Sequence, residues 1–274
     1  MLKSIRFAHI YYIAIPILAA IGATLRTLAL LLPDGTPDVY FSSASPLGTV
    51  FTVLCIDAVL SLVIFPFLLD KDLLDQKPAP LPVAGKATSV TMAALLLLNF
   101  VASLLLPKSF GVPGFLLFVG VLTSLVGAVY FLLPVLNRVG STTVAALGTA
   151  VILALASYIC FTYFDRLVPM NAPQKTNLHL ALLSLMFYML YELRAAAGSP
   201  MPRAQLAATG VAFYLSATVG FSNLFAFAAG TALDKVYLAH TLLLVGFTAY
   251  IGTRGVAQCL ALSEGKKKKA GGKK

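Results

Sequence analysis

Long apolar stretches, separated by short polar segments that contain proline or glycine, make up most of the sequence. Eight of these stretches approach or exceed the roughly 20 apolar residues that an α-helix needs to cross a bilayer core. They are continuous rather than alternating, which favours helices over the strands of a membrane barrel. The predicted spans lie near residues 10–32, 47–69, 88–106, 114–137, 143–164, 178–197, 204–229 and 236–262.

Composition supports this interpretation. Apolar residues make up 59% of the chain and charged residues 11%, and the mean hydropathy is +0.91. Soluble globular proteins contain roughly 45–50% and about 25% of these two classes. The sequence therefore predicts an all-α fold, a polytopic transmembrane helical bundle with about eight membrane-spanning helices. Residues 1–262 form its single domain and residues 263–274 a basic cytoplasmic tail. The seventh span is rich in Ala, Gly, Ser and Thr and is the weakest of the eight.

The distribution of lysine and arginine predicts the orientation, because cytoplasmic loops are enriched in both residues. With the N-terminus inside, the cytoplasmic segments hold fourteen basic residues and the outer segments four. Without the C-terminal tail the ratio is still eight to four. We therefore expect both termini in the cytoplasm. The absence of an Asn-x-Ser/Thr sequon favours the cell membrane of a bacterium, that is, its inner membrane.

Four polar side chains are predicted in a layer near the outer surface. Counted at about 1.5 Å per residue from the span ends, Arg26 lies about 9 Å deep, Asp57 about 15 Å, and Asn99 and Asn223 about 9–11 Å. Because a charge at bilayer depth costs at least about 2.5–3.5 kcal/mol, such residues are functional candidates. The first two helices should be antiparallel neighbours, which predicts an Arg26–Asp57 pair.

A second polar layer is predicted near the cytoplasmic surface. Glu192 lies roughly 8 Å and Arg254 roughly 12 Å from the inner ends of their spans, so they could pair across helices six and eight. Beyond this layer, six of the twenty basic residues lie in the last nine positions. Basic clusters beside a membrane segment attract anionic headgroups, so we expect Lys266, Lys267, Lys268 and Lys269 to contact anionic lipids rather than nucleic acid.

The sequence contains no motif for catalysis, nucleotide binding or metal binding that we recognise. The three cysteines are far apart, and no histidine has a second histidine or a carboxylate three or four residues away. We therefore predict no enzyme activity, no catalytic residues, no cofactor and no metal site.

One segment carries a resemblance. The stretch Tyr163-Phe164-Asp165-Arg166, then residues 168–175, then Tyr191-Glu192-Leu193-Arg194 at the end of helix six resemble uncharacterised multi-pass membrane proteins of Firmicutes. The resemblance covers residues 160–200 and implies a multi-pass membrane protein without a known activity.

Two functions follow from these patterns. In the first, Arg26, Asp57, Asn99 and Asn223 line an outward-facing cavity that binds or transports a small solute or ion. In the second, the protein is a membrane sensor or assembly component that transports nothing, and its intramembrane polar residues only lock helices together. The sequence does not predict an oligomeric state.

Overall fold

The computed structural model describes residues 2–31, 46–69, 83–105, 114–136, 142–164, 172–230 and 235–271, and its regular structure there is helical, without strands. This confirms the predicted all-α bundle. The described residues form eight α-helices: α1 (Leu2–Leu31), α2 (Pro46–Ile64), α3 (Val83–Leu105), α4 (Gly114–Leu132), α5 (Thr142–Phe164), α6 (Pro173–Ala196), α7 (Pro202–Ala228) and α8 (Lys235–Gly271). A 3₁₀ turn, Phe65–Leu68, follows α2.

Prolines determine several helix ends. Pro173 and Pro202 lie in the first turns of α6 and α7, where the missing N–H has no helical partner to lose. Both helices therefore begin earlier than the apolar stretches predict. Pro66 lies in the 3₁₀ turn and Pro134 in the turn after α4, so α4 ends at Leu132 rather than near 137.

Within the part of the chain that the structure describes, fewer spans are found than the eight predicted. Six helices, α1, α2, α3, α5, α6 and α7, have the length and hydropathy to cross a membrane, and α4 contributes a shorter apolar stretch, Phe118–Leu132. Six to seven crossings are supported, against the eight predicted. The eighth predicted span, α8, contains His240 and Arg254, which lower its hydropathy and lie inside the bundle or at its inner end.

Six of the described helices pack as a ring, and two further helices pack on its outside. Helices α3 to α8 each contact the next one in chain order, and α8 closes the ring by packing against α3. Helices α1 and α2 lie outside the ring, on α7 and on each other. Helix α8 follows α3 closely, from Asn99 beside Ala239 to Thr88 beside Thr253.

Side chains fill the inside of the ring. Phe131 of α4 makes edge-to-face contacts with Phe247 and Tyr250 of α8, at ring-centroid distances of 5.8 and 5.0 Å. All three are completely buried. The outer surface carries many exposed large aliphatic residues instead, among them Ile13, Ile17, Val53, Ile56 and Leu60. Exposed apolar surface of this extent is what lipid tails cover, so the fold is that of an integral membrane protein.

Candidate functional site

Arg26 of α1 is the most deeply buried charge that the structure describes, with no exposed side-chain surface. Its guanidinium donates to the Asn223 side-chain oxygen at 2.7 Å and to the Ser222 hydroxyl, both on α7. It also donates to the side-chain oxygen of Gln174, in the first turn of α6. Arg26 therefore connects α1 to two helices of the ring.

A small residue lets α1 approach α7 closely enough for this contact. Gly22 lies one turn before Arg26, and a Cβ atom there would be 2.9 Å from the Thr218 hydroxyl and 3.0 Å from the Tyr214 hydroxyl. Any larger residue at this position would push α1 away from α7. Gly22 therefore sets the distance over which Arg26 reaches its partners.

The partners of Arg26 form a network of neutral groups. The Gln174 amide nitrogen donates to the Asn223 oxygen at 3.1 Å, and the Asn223 amide nitrogen donates to the Thr241 hydroxyl of α8 at 3.5 Å. The cluster, defined as Arg26, Gln174, Ser222, Asn223 and Thr241, thus joins α1, α6, α7 and α8. Its members are all buried.

No carboxylate contacts this arginine in the described part of the chain. Its Nε–H has no hydrogen-bond partner there either. A buried charge without an opposite charge is strongly destabilising, because hydrogen bonds to neutral groups offset only part of the lost hydration. Among the described residues, the cluster therefore carries a positive charge without a counter-ion and an N–H donor without an acceptor.

The predicted Arg26–Asp57 pair is not formed. Asp57 is exposed on α2, whereas the buried positions of that helix include Phe51, Ala58 and Leu62 on another face. The prediction was right that α1 and α2 are neighbours and wrong about the face on which Asp57 lies. Hydropathy indicates the depth of a residue in the membrane but gives no information on its direction.

Asn99 is buried but belongs to a different contact. Its amide nitrogen donates to the Leu95 carbonyl at 2.9 Å and to the Ala239 carbonyl of α8 at 3.4 Å, so it joins α3 to α8. Asn223 is thus the one predicted partner that the structure brings to Arg26. Sequence reasoning missed Gln174, which precedes the predicted start of helix six at residue 178. A proline followed by a polar residue was the available signal that a helix begins at 173.

The inner polar layer contains an ion pair. Glu192 of α6 and Arg254 of α8 are in contact, and the Glu192 Oε1 atom also accepts hydrogen bonds from Tyr250 at 2.9 Å and Tyr130 at 3.2 Å. The Arg254 guanidinium lies 5.2 Å from the centre of the Tyr250 ring. These residues come from α4, α6 and α8, so the contact crosses the inside of the ring.

His240 is a further buried polar residue that sequence reasoning missed. Its ring lies 4.8 Å from that of Tyr158, and the Tyr158 hydroxyl contacts Ser124 of α4. The His240 Nδ1 atom has no hydrogen-bond partner among the described residues. Within the same residues, no group of three His, Cys, Asp or Glu side chains is arranged to hold a metal ion.

The basic C-terminal lysines lie on a continuation of α8. The helix runs through Lys266, Lys267, Lys268 and Lys269 to Gly271. Their side-chain contacts lie outside what the structure describes, so lipid contact at these positions stays a prediction. Residues 272–274 are also outside the described part.

A comparison of the chain with protein-family models, with curated proteins and with solved structures finds no match. The resemblance of residues 160–200 to multi-pass proteins of Firmicutes therefore stays a prediction. Part of the segment that carries it, residues 165–171, lies outside the described residues.

Proposed function

We propose that this integral membrane protein binds a small anion at Arg26 and that the bound anion is a solute it carries. The observation that supports the proposal is the complete burial of a guanidinium whose described partners are all neutral. Of the four residues predicted to line a cavity, Arg26 and Asn223 take part in this site, and Gln174 replaces Asp57 and Asn99. The proposed role is not enzymatic.

An anion would supply what the cluster lacks. Guanidinium groups bind carboxylates and phosphates through two parallel N–H···O bonds, and hydrogen bonds between charged groups are roughly twice as strong as neutral ones. The Arg26 Nε–H is one such donor without a partner in the described chain. Small oxyanions with a planar carboxylate, such as formate or acetate, therefore have the best chemical match.

Ligand-dependent thermal stability of the purified protein in detergent tests this proposal. We expect formate, acetate or phosphate, added as the sodium salt at constant ionic strength, to raise the melting temperature of the wild type in a saturable way. Arg26→Gln should abolish the increase. Arg203→Gln is the matched control, because it also removes one positive charge but at the opposite end of α7.

Two results would overturn the proposal. One is an increase in melting temperature that persists at full size in Arg26→Gln. The other is a wild type that responds to none of the three anions. If Arg26→Gln does not fold, Asn223→Ala keeps the charge and removes one acceptor, and it should change the anion concentration at half-saturation.

A second function is favoured by the number of helices that the cluster joins. If Arg26 only locks α1 to the ring, the protein is a sensor or assembly component without transport. The network through Asn223 to Thr241 supports this alternative. It predicts a wild type that is indifferent to anions, together with an Arg26→Met variant that is less stable than the wild type, because the buried acceptors of Gln174 and Asn223 lose their donor.

We further propose that both termini face the cytoplasm of a bacterial cell, with anionic lipids around the basic tail. The bias of lysine and arginine supports this orientation. A hydrogen bond from Tyr12 to Gln258 at 3.0 Å supports the placement of both termini at one end of the bundle. Reporter fusions at Pro78 and Pro169 should report opposite sides of the membrane, and the same side for both would contradict the orientation.

A further inference from the structure

An apolar groove lies between α1, α7 and α8, in the part of the bundle where Tyr12 of α1 contacts Gln258 of α8. Its volume is about 340 Å³, within the range of small-ligand sites. Side chains from all three helices line it, including Tyr12, Pro16, Phe213 and Cys259. The groove is separate from the Arg26 cluster, because Tyr12 and Arg26 are about 21 Å apart along α1.

The groove opens toward the lipid. Ile13 of α1 and Val256 of α8 belong to its lining, and the side chain of each is 60% exposed. Gly255 leaves space between these helices, since a Cβ atom there would be 3.8 Å from the nearest atoms of the Tyr12 ring. A longer side chain at position 255 would therefore occupy the groove.

Basic residues continue the lining of the groove toward the chain ends. Seven residues make two helical turns, so Lys266 is in register with Cys259, Lys267 with Leu260, and Arg6 with Ile13. Each basic residue lies about 10 Å beyond its lining residue along the helix. The sequence thus has basic residues on both helices, two turns beyond the residues that line the groove and in register with them.

We propose that this groove is a binding site for an anionic phospholipid. One acyl chain lies in the apolar cleft between α1 and α8, and the phosphate lies at the level of Arg6, Lys266 and Lys267. The order of chemistry, first apolar and then cationic along the same two helices, matches the order of parts in a phospholipid. A neutral lipid would use only the first part, and a free anion only the second.

Native mass spectrometry of the full-length protein in detergent can test the site with phosphatidylglycerol and phosphatidylcholine that carry the same acyl chains. We expect the wild type to retain phosphatidylglycerol more tightly. A basic residue near the membrane surface contributes about 1 kcal/mol, which is about five-fold in affinity. Lys266→Gln/Lys267→Gln should therefore weaken phosphatidylglycerol binding at least about five-fold and leave phosphatidylcholine unchanged.

Two matched controls distinguish lipid binding in the groove from general electrostatic attraction between lipids and the basic residues. Lys268→Gln/Lys269→Gln removes the same charge, but Lys268 lies on the opposite side of α8 and Lys269 at the edge of the lining stripe. This variant should lose clearly less affinity. Gly255→Leu should exclude both lipids, whereas Ala146→Leu, which adds a leucine on the exposed face of α5, should exclude neither.

Four outcomes would overturn the proposal. They are equal retention of the two lipids by the wild type, equal losses in the two lysine pairs, unchanged binding to Gly255→Leu, and a dimer in place of a lipid adduct. If Gly255→Leu does not fold, Val256→Phe can replace it, because it enlarges a residue that is already exposed at the mouth of the groove. Val256→Phe should weaken the binding of both lipids. None of these results depends on anion binding at Arg26.

Discussion

Replacement of Gln174 by glutamate tests whether the charge of Arg26 is uncompensated. The side chain of Gln174 is 1% exposed and its oxygen already accepts a hydrogen bond from the guanidinium. The substitution keeps the shape and places a carboxylate in contact with the buried cation. Wild-type Arg26 has already lost its hydration, so only the carboxylate adds a new desolvation cost.

The size of the effect follows from two opposing terms. Two unit charges 4 Å apart attract by about 4 kcal/mol at an effective dielectric constant of 20. Burial of a carboxylate costs several kcal/mol, and the hydrogen bond from Gln174 to Asn223 is lost unless the asparagine amide turns to donate. The two terms nearly cancel, so we expect the free energy of unfolding of Gln174→Glu to stay within about 1 kcal/mol of the wild-type value. Gln174→Met, which removes the acceptor, should instead destabilise by about 1–3 kcal/mol.

The assay is thermal or denaturant unfolding in one detergent, followed by the anion titration of the same variants. At about 2–4 °C per kcal/mol, Gln174→Glu should melt within a few degrees of the wild type and clearly above Gln174→Met. It should also lose the response to added anions, because the carboxylate occupies their place. Gln205→Glu, which adds a negative charge at the far end of α7, should change stability by less than about 0.5 kcal/mol. If Gln174→Glu is as unstable as Gln174→Met, the charge of Arg26 is already balanced and the reasoning is refuted.

Three further changes test other contacts. Arg254→Gln leaves Glu192 buried without its counter-ion and should lower the free energy of unfolding by about 2–4 kcal/mol. In a double-mutant cycle, the additional change Glu192→Gln should restore most of this loss. In Gly210→Ala the new Cβ overlaps the Tyr11 hydroxyl, which donates hydrogen bonds to carbonyls of α2 and α7. We expect the free energy of unfolding to fall by about 1–2 kcal/mol, and by less in a Tyr11→Phe background. Asp57→Asn should add to the effect of Arg26→Gln within about 0.5 kcal/mol, and a larger coupling would contradict the separation of these residues.

The sequence predicts which segments are helical and how deep the polar residues lie, because both depend on counting residues along apolar stretches. It does not predict the faces of the helices. Arg26 and Asp57 are both predicted within the outer half, yet one is completely buried and the other exposed. The hydrophobic contrast between the two faces of these helices is small, since lipid and protein interior are both apolar. Partners across helices were therefore the least predictable feature.

Helix α7 is a second case in which the hydropathy of a helix does not predict its position in the bundle. Its small residues made it the weakest predicted span, but 61% of its apolar stretch is buried, against 28% for α1. Ala, Gly, Ser and Thr allow neighbouring helices to approach closely, so low hydropathy here marks a central position in the bundle. In α8, likewise, His240 and Arg254 reduce the hydropathy while they make contacts inside the bundle.

The uninterrupted length of α8 has a mechanical consequence. Its 37 residues form one rod of about 55 Å. This length exceeds the thickness of the hydrocarbon core of a bilayer by nearly half of the length of the helix. Thr241 near one end belongs to the Arg26 cluster, and Arg254 near the middle contacts Glu192. Gln258 accepts a hydrogen bond from Tyr12 before the lysines begin. Because α8 has no break between these contacts, an axial displacement of its lysine end would move all three contacts together.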